Sequence, residues 1–145
     1  MTEKVNRKLV RFLKKNKLLT LCASDGEQIW AASLMFIFNE SDMSAVVSTS
    51  INTRHSSIMN RKNIVAGTIG SKLSMLNSVG LQYSGNIELV CDSQEIDARE
   101  KYLKRYPFLK KKISHLWVLK FNEIKLVSMR LGKGSCVEWC REHSY

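Results

Sequence analysis

A long strand-like run interrupted by glycines, residues 78–91, is the feature that most restricts what the chain can fold into. It alternates apolar and polar side chains, the period-2 pattern of a strand with one buried face. Gly80 and Gly85 interrupt it, and glycines inside so long a strand mark a bulge or sharp coil of the kind a barrel needs. Other segments carry the strand signature too. Residues 18–23 and 28–38 flank the hairpin signal Asp25-Gly26, and residues 43–50, 63–70, 115–128 and 136–140 complete the set. Residues 71–77 and Leu131-Gly132-Lys133-Gly134 read as loops. Six or seven antiparallel strands with a few helices predict a mainly β fold, a small barrel with helical decoration.

Three helices accompany the strands. Val5, Leu9, Phe12 and Leu13 recur at helical spacing and predict an amphipathic helix over about residues 3–15. A short helix follows residue 53. In a third, Ala98, Tyr102 and Tyr106 line one face, Asp92 and Glu95 resemble a capping box, and the sole proline, Pro107, ends or kinks the helix. No repeat or linker divides the 145 residues, so a single domain over 1–145 is expected.

The net charge is +10. Much of the excess lies in Lys4, Arg7, Lys8, Arg11, Lys14, Lys15 and Lys17, and in Lys101, Lys104, Arg105, Lys110, Lys111 and Lys112. Both groups sit on predicted helices, where basic faces attract polyanions. No base-reading motif accompanies them, so non-specific affinity is the most they support, and nucleic acid is not expected as a partner beyond that. No apolar run approaches the roughly 18 residues of a membrane helix, and the basic N-terminus lacks the apolar block of a signal peptide. The cytoplasm is the expected compartment, which suits the four cysteines as thiols. Cys136 and Cys140 on one strand would stand roughly 13 Å apart, too far to share a metal. No metal site is expected, and His115 and His143 read as structural or exposed.

One segment has the chemistry of an anion site. A strand empties into Ser48-Thr49-Ser50 and then Asn52-Thr53-Arg54-His55. Thr53 can cap the following helix, whose first-turn amides, dipole and Arg54 guanidinium would converge on a phosphate. The plainer alternative is a capped surface helix with a solvated arginine. His55 could face water one step into that helix, and Trp30, Trp117 and Trp139 could wall a pocket or simply fill the core.

An ordered series of segments gives the chain a resemblance. These are Trp30-Ala31-Ala32, Ser48 through Thr53-Arg54-His55, Val65-Ala66-Gly67-Thr68-Ile69, and Gly80-Leu81-Gln82-Tyr83-Ser84-Gly85. Ala98-Arg99 follows, with Tyr102 and Arg105-Tyr106-Pro107. Last come Leu116-Trp117, Glu123-Ile124-Lys125, Leu131-Gly132, Gly134, Trp139 and Arg141. Over about residues 18–141 the chain resembles the YhbP-like group of the pyridoxamine 5′-phosphate oxidase-like proteins, the FMN-binding split barrels. The resemblance implies a homodimer of six-stranded antiparallel split barrels with FMN in clefts between the subunits.

It further implies that Ser48, Thr49, Ser50, Thr53 and Arg54 hold the FMN phosphate, with His55 where many relatives carry Lys. The flavin ring would lie along the strand at Ala31, Ala32 and Ser33, and Gln82, Lys133 and Trp139 would approach from the partner subunit. The implied activity is a flavin-dependent oxidoreduction of a small substrate, with no catalytic residue singled out. The chain departs from the pattern at Val127-Ser128-Met129-Arg130, at Lys133 and at Ser135-Cys136. It also lacks the superfamily's second-strand phosphate-binding Arg, a loss on the order of 1.5–3 kcal/mol of phosphate binding. Two other readings stay open: a cofactor-free split-barrel dimer that binds an anionic partner, and a barrel for another cofactor such as a deazaflavin or haem.

Overall fold

The structure, a computed structural model, describes residues 4–74 and 76–141. His143 and the first residue of the expected N-terminal helix lie outside them. The described elements, in chain order, are α1 (Arg7–Lys15), β1 (Leu18–Ser24), β2 (Ile29–Asn39), β3 (Ser44–Ser48), α2 (Arg54–Arg61), β4 (Ile64–Leu73) and β5 (Asn77–Leu89). Then come α3 (Asp92–Arg105), a 3₁₀ turn at Pro107–Leu109, β6 (Leu116–Arg130) and β7 (Lys133–Cys140).

The strands form one antiparallel sheet in the order β3-β2-β1-β4-β5-β6-β7. An added pairing of β3 with β6, from Ser44 opposite Lys120 to Ser48 opposite Leu116, closes six of them into a ring. β7 stands outside the ring on the free edge of β6. The expected barrel is therefore present, with a seventh strand added to its rim.

The curl has local causes. Gly70, at φ +60°, is an extra residue between the pairs Ile69–Leu81 and Ser71–Gly80. Asn122 is the extra residue on β6 between the pairs to Ser84 and Gly85. Gly85 is indispensable there, since a Cβ would meet the Lys120 carbonyl oxygen at 2.3 Å. Of the two glycines singled out in the sequence, Gly85 sits at a bulge, whereas Gly80 lies opposite the bulge made by Gly70.

The ring encloses Leu19, Leu21, Phe36, Val47, Ile69 and Phe121, all essentially inaccessible. Helix α1 is capped by the Asn6 side chain, which accepts from the Lys8 amide, and inserts Leu9 and Leu13 into this core. Full burial of side chains of this size stabilises the fold by about 1.5–3 kcal/mol each. Helix α2 contributes Ile58 and Met59. Helix α3 packs outside the ring, where Tyr102 and Tyr106 cover Met35, Ile37 and Val46. Pro107, with no amide to continue the α-helical ladder, opens the 3₁₀ turn after α3, as expected.

Several local expectations are corrected. Strand β4 runs on through residues 71–73 because Leu73 still pairs with Ser78. Lys133 and Gly134 belong to β7, paired with Arg130 and Met129, so the loop shrinks to Leu131-Gly132. The capping box is absent: Cys91 is the N-cap without a side-chain bond, Asp92 is already helical, and Glu95 binds Arg99 one turn on. Strand β3 is shorter than expected, since Met43 lies in the preceding turn at φ +51° and Thr49 leaves the ladder.

Candidate functional site

The junction of β3 and α2 is held by its own hydroxyls. The Thr53 side chain caps α2 by accepting from the Ser56 amide at 3.2 Å. Thr53 Oγ1 also lies 2.7 Å from Ser56 Oγ, which donates to the Ser50 carbonyl at 2.7 Å. Ser50 Oγ accepts from the Asn52 amide. Ser48 Oγ accepts from the Ser114 amide at 2.9 Å, and the Thr49 carbonyl accepts from the buried Trp117 indole at 3.0 Å. The loop is thus rigid before any ligand arrives. Among the described contacts the first-turn amides of Arg54 and His55 have no partner, so the donors an anion needs are still available.

His55 does not face water. It is 8% exposed, its Nε2 lies 2.7 Å from Thr49 Oγ1, and burial pushes its pKa below the ordinary value. A neutral imidazole here supports the loop rather than adding charge to it. The cation of the site is Arg54. Its guanidinium lies 4.1 Å from the centroid of the Trp30 ring, and its Nε donates to Gln28 Oε1 at 3.3 Å. Two turns along α2, Arg61 grips the Asp25 carboxylate at 2.7 and 3.0 Å. That carboxyl is held at a pKa of about 2, first by the Gln28 amide, then by the Glu27 amide and Arg61. Helix α2 is therefore pinned alongside the start of β2.

What lies beside it is an open strand edge. β1 covers one edge of β2 from Ile29 to Met35, but β3 pairs with the other only at Phe36–Asn39. The Phe36 amide donates to Lys17 on the β1 side, whereas the Met35 carbonyl accepts from the Tyr102 hydroxyl at 3.0 Å. Alternate residues aim their amides at the same edge. Ala31 and Ser33 therefore follow Met35 and turn their peptide groups to the unpaired side, where no strand takes them. Their side chains are exposed on the outer sheet face, while Ala32 packs against the core and offers only backbone, directed at β1.

The geometry brings Ser48, Thr49, Ser50, Thr53, Arg54, His55, Ala31, Ala32 and Ser33 into one region. It does not bring Gln82, Lys133 and Trp139 there within one chain. Gln82 is exposed on the outer face in the row Ser33–Thr20–Thr68–Gln82, three strands or about 14 Å from Ser33. Lys133 is exposed at the start of β7. Trp139 is half-buried against the core beneath Arg141, whose guanidinium lies 5.4 Å from the ring centroid. Sequence reasoning missed Asp25, which read only as a turn residue, Gln28, which read only as the start of a strand, and Tyr102, which read only as one face of a helix. Their roles depend on contacts with α2 and β2 that no local spacing displays.

A cation and free amides at a helix start, an edge with unused peptide groups and small exposed side chains between them suit a flat heteroaromatic group with a phosphate at one end. This donor set fits FMN. Among the described residues no three His, Cys, Asp or Glu gather as metal ligands, and no helix is long and apolar enough to cross a membrane.

Comparison with known proteins gives two kinds of likeness. The chain is 37% identical over 132 residues to a UPF0306 protein of Yersinia pseudotuberculosis, covering 90% of each. It has the same identity and coverage with a UPF0306 protein of Yersinia pestis. No protein-family model matches. In structure it is similar to a heme-binding protein from Mycobacterium smegmatis, with a TM-score of 0.70 and 18% identity over 87% of this chain and 54% of that one. It is also similar to an FAD-binding protein from Mesorhizobium loti, at TM-score 0.65 and 9% identity over 81% of this chain and 89% of that one. A candidate pyridoxamine 5′-phosphate oxidase from Listeria innocua matches at TM-score 0.65 and 16% identity, covering 87% and 97%. At these identities the likeness shows the fold, the pyridoxamine 5′-phosphate oxidase-like split barrel.

Proposed function

The chain belongs to the UPF0306 family, and from that premise and the site geometry we propose that it is an FMN-binding flavin-dependent oxidoreductase of a small substrate. Within the superfamily we read its motifs as those of the YhbP-like group. The observation that carries this reading is the open β2 edge at Ala31 and Ser33, set beside Arg54 at the start of α2. Arg54 and the free first-turn amides hold the phosphate, with Thr53 and Ser48–Ser50 keeping the loop in shape. The peptide groups of Ala31 and Ser33 hydrogen-bond the edge of the ring and orient it. Bound FMN supplies hydride transfer, and the protein supplies position and electrostatics.

The protein works as a cytoplasmic homodimer in this reading. The outer sheet face around the site is lined by the small side chains of Ala31, Ser33, Ala66 and Thr68 and bordered by exposed Leu18, Ile29 and Ile64. Such a surface suits burial against a second copy. Gln82, Lys133 and Trp139, remote from Arg54 in one chain, then serve the partner's site. All four cysteines are free thiols, as suits a reducing compartment.

The test is FMN titration of the wild type and of Arg54→Ala, followed by flavin absorbance and by Trp fluorescence. Wild-type binding should saturate. The variant should bind on the order of 10- to 100-fold more weakly, the scale of a lost charged hydrogen bond. Equal affinities, or a wild type that ignores FMN, would remove the site from this account.

A further inference from the structure

Two basic segments far apart in sequence meet in the fold. Residues 4–17 and 101–112 hold 13 of the 23 Lys and Arg residues and no Asp or Glu. The end of α3 abuts the end of α1, where Arg105 donates to the Lys14 carbonyl at 3.1 Å and the Tyr106 hydroxyl to the Lys17 carbonyl at 3.3 Å. Each segment's cations divide into paired and unpaired sets. Glu40 takes Arg7 and Lys14, and Asp97 takes Lys101. Lys8, Arg11 and Lys15, at i, i+3 and i+7 of α1, form one exposed stripe about 10 Å long. Among the described residues no carboxylate lies within ion-pair distance of them, nor of Lys110, Lys111 and Lys112.

We propose that these two stripes form one surface that binds the phosphodiester backbone of nucleic acid without reading its sequence. Unpaired, exposed cations in a row are the requirement for counterion release from a polyphosphate. Phe108, 69% exposed between α3 and Lys110, is an aromatic that a base can stack on. An anionic membrane fits less well. A helix that lies in a bilayer surface needs a free apolar face, and the apolar face of α1 is spent, with Leu9, Val10 and Leu13 wholly buried. The surface is separate from the candidate FMN site and does not depend on it.

The experiment is fluorescence anisotropy with a labelled oligothymidylate about 20 nucleotides long, between about 50 and 200 mM salt. Three triple variants accompany the wild type: Lys8→Ala/Arg11→Ala/Lys15→Ala, Lys110→Ala/Lys111→Ala/Lys112→Ala, and a control of equal charge, Lys62→Ala/Lys125→Ala/Arg130→Ala. Circular dichroism checks that each is folded, and all nine positions are exposed. Each of the first two should reduce the salt slope by about 2 and weaken binding on the order of a hundredfold near 0.1 M salt, while the control changes it less than about threefold. Three results would overturn the proposal: a control that loses as much as the others, loss in only one of the two stripes, or binding to phosphatidylserine vesicles with none to the oligonucleotide.

Discussion

Gly67→Ala tests the packing of the ring at its tightest point. Gly67 on β4 lies opposite Leu21 of β1 and Tyr83 of β5. The Tyr83 hydroxyl reaches past it to the Thr20 carbonyl at 2.7 Å, and its phenol pKa is pushed up by burial. A Cβ at residue 67 would sit 1.9 Å from that carbonyl oxygen, 2.7 Å from the Tyr83 hydroxyl and 2.8 Å from the Thr20 carbonyl carbon. Two of these three atoms are backbone, so rotamer changes cannot relieve the clash. Strands β1 and β4 must part by more than an ångström, and the buried hydrogen bond is lost with them. Overpacking costs about 1–3 kcal/mol and an unsatisfied buried polar group about 1–3 more. A loss of about 3–5 kcal/mol corresponds to roughly 10–15 °C in Tm for a chain of this size.

The assay is thermal and urea unfolding followed by circular dichroism, with Gly80→Ala as the comparison. A Cβ at residue 80 meets nothing closer than the Gly70 carbonyl oxygen at 3.5 Å. That variant should stay within about 1 kcal/mol of wild type, since relief of unfolded-state entropy offsets minor crowding. If Gly67→Ala melts no lower than Gly80→Ala, β1 and β4 are not in the contact described.

Two further outcomes follow from buried polar groups. His55 is held neutral by burial, so the unfolded chain takes up a proton that the folded chain excludes. Stability should therefore fall as pH drops below about 6.5, and His55→Gln should flatten that decline in urea midpoints measured at neutral and mildly acid pH; identical slopes would refute it. Tyr102→Phe removes the hydroxyl that caps the Met35 carbonyl. It should cost about 1 kcal/mol, or roughly 2–4 °C in Tm, and an unchanged melting curve would show that α3 does not seal that edge.

Much of the ring was legible because strands such as β5 carry their own alternation and the β1–β2 turn carries its Asp25-Gly26 signal. Helix α1 was legible from Leu9 and Leu13, and the Thr53 cap from residue type and position alone. The errors arose where two local signals competed or where a distant partner decided. Asp92 and Glu95 have capping-box spacing, yet Glu95 finds Arg99 four residues on and the helix starts one residue earlier. Residues 71–73 open a stretch that reads as a loop, but the register of β5 keeps them in the sheet. At the site, the clustering of the hydroxyls and Arg54 around the start of α2 was readable. The moorings of Ser48 and Thr49 to residues 114–117 were not, nor was the seat of Arg54 on Trp30, because these depend on residues tens of positions away.

The ring closure has a consequence for the order in which the protein becomes functional. Apart from β1–β4 and β3–β6, each strand of the ring pairs with its neighbour in sequence and can form early with little loop entropy. The Ser48–Thr53 loop belongs to neither class. It is moored by the Ser114 amide, the His115 carbonyl and the Trp117 indole, which lie 66 to 68 residues downstream. A chain leaving the ribosome can therefore build β1 to β5 and still lack a shaped loop. The loop gains these moorings only when β6 docks against β3, a non-local pairing of the kind that slows folding. A truncated product ending before residue 114 would be a sheet whose Ser48–Thr53 loop lacks all three of these moorings.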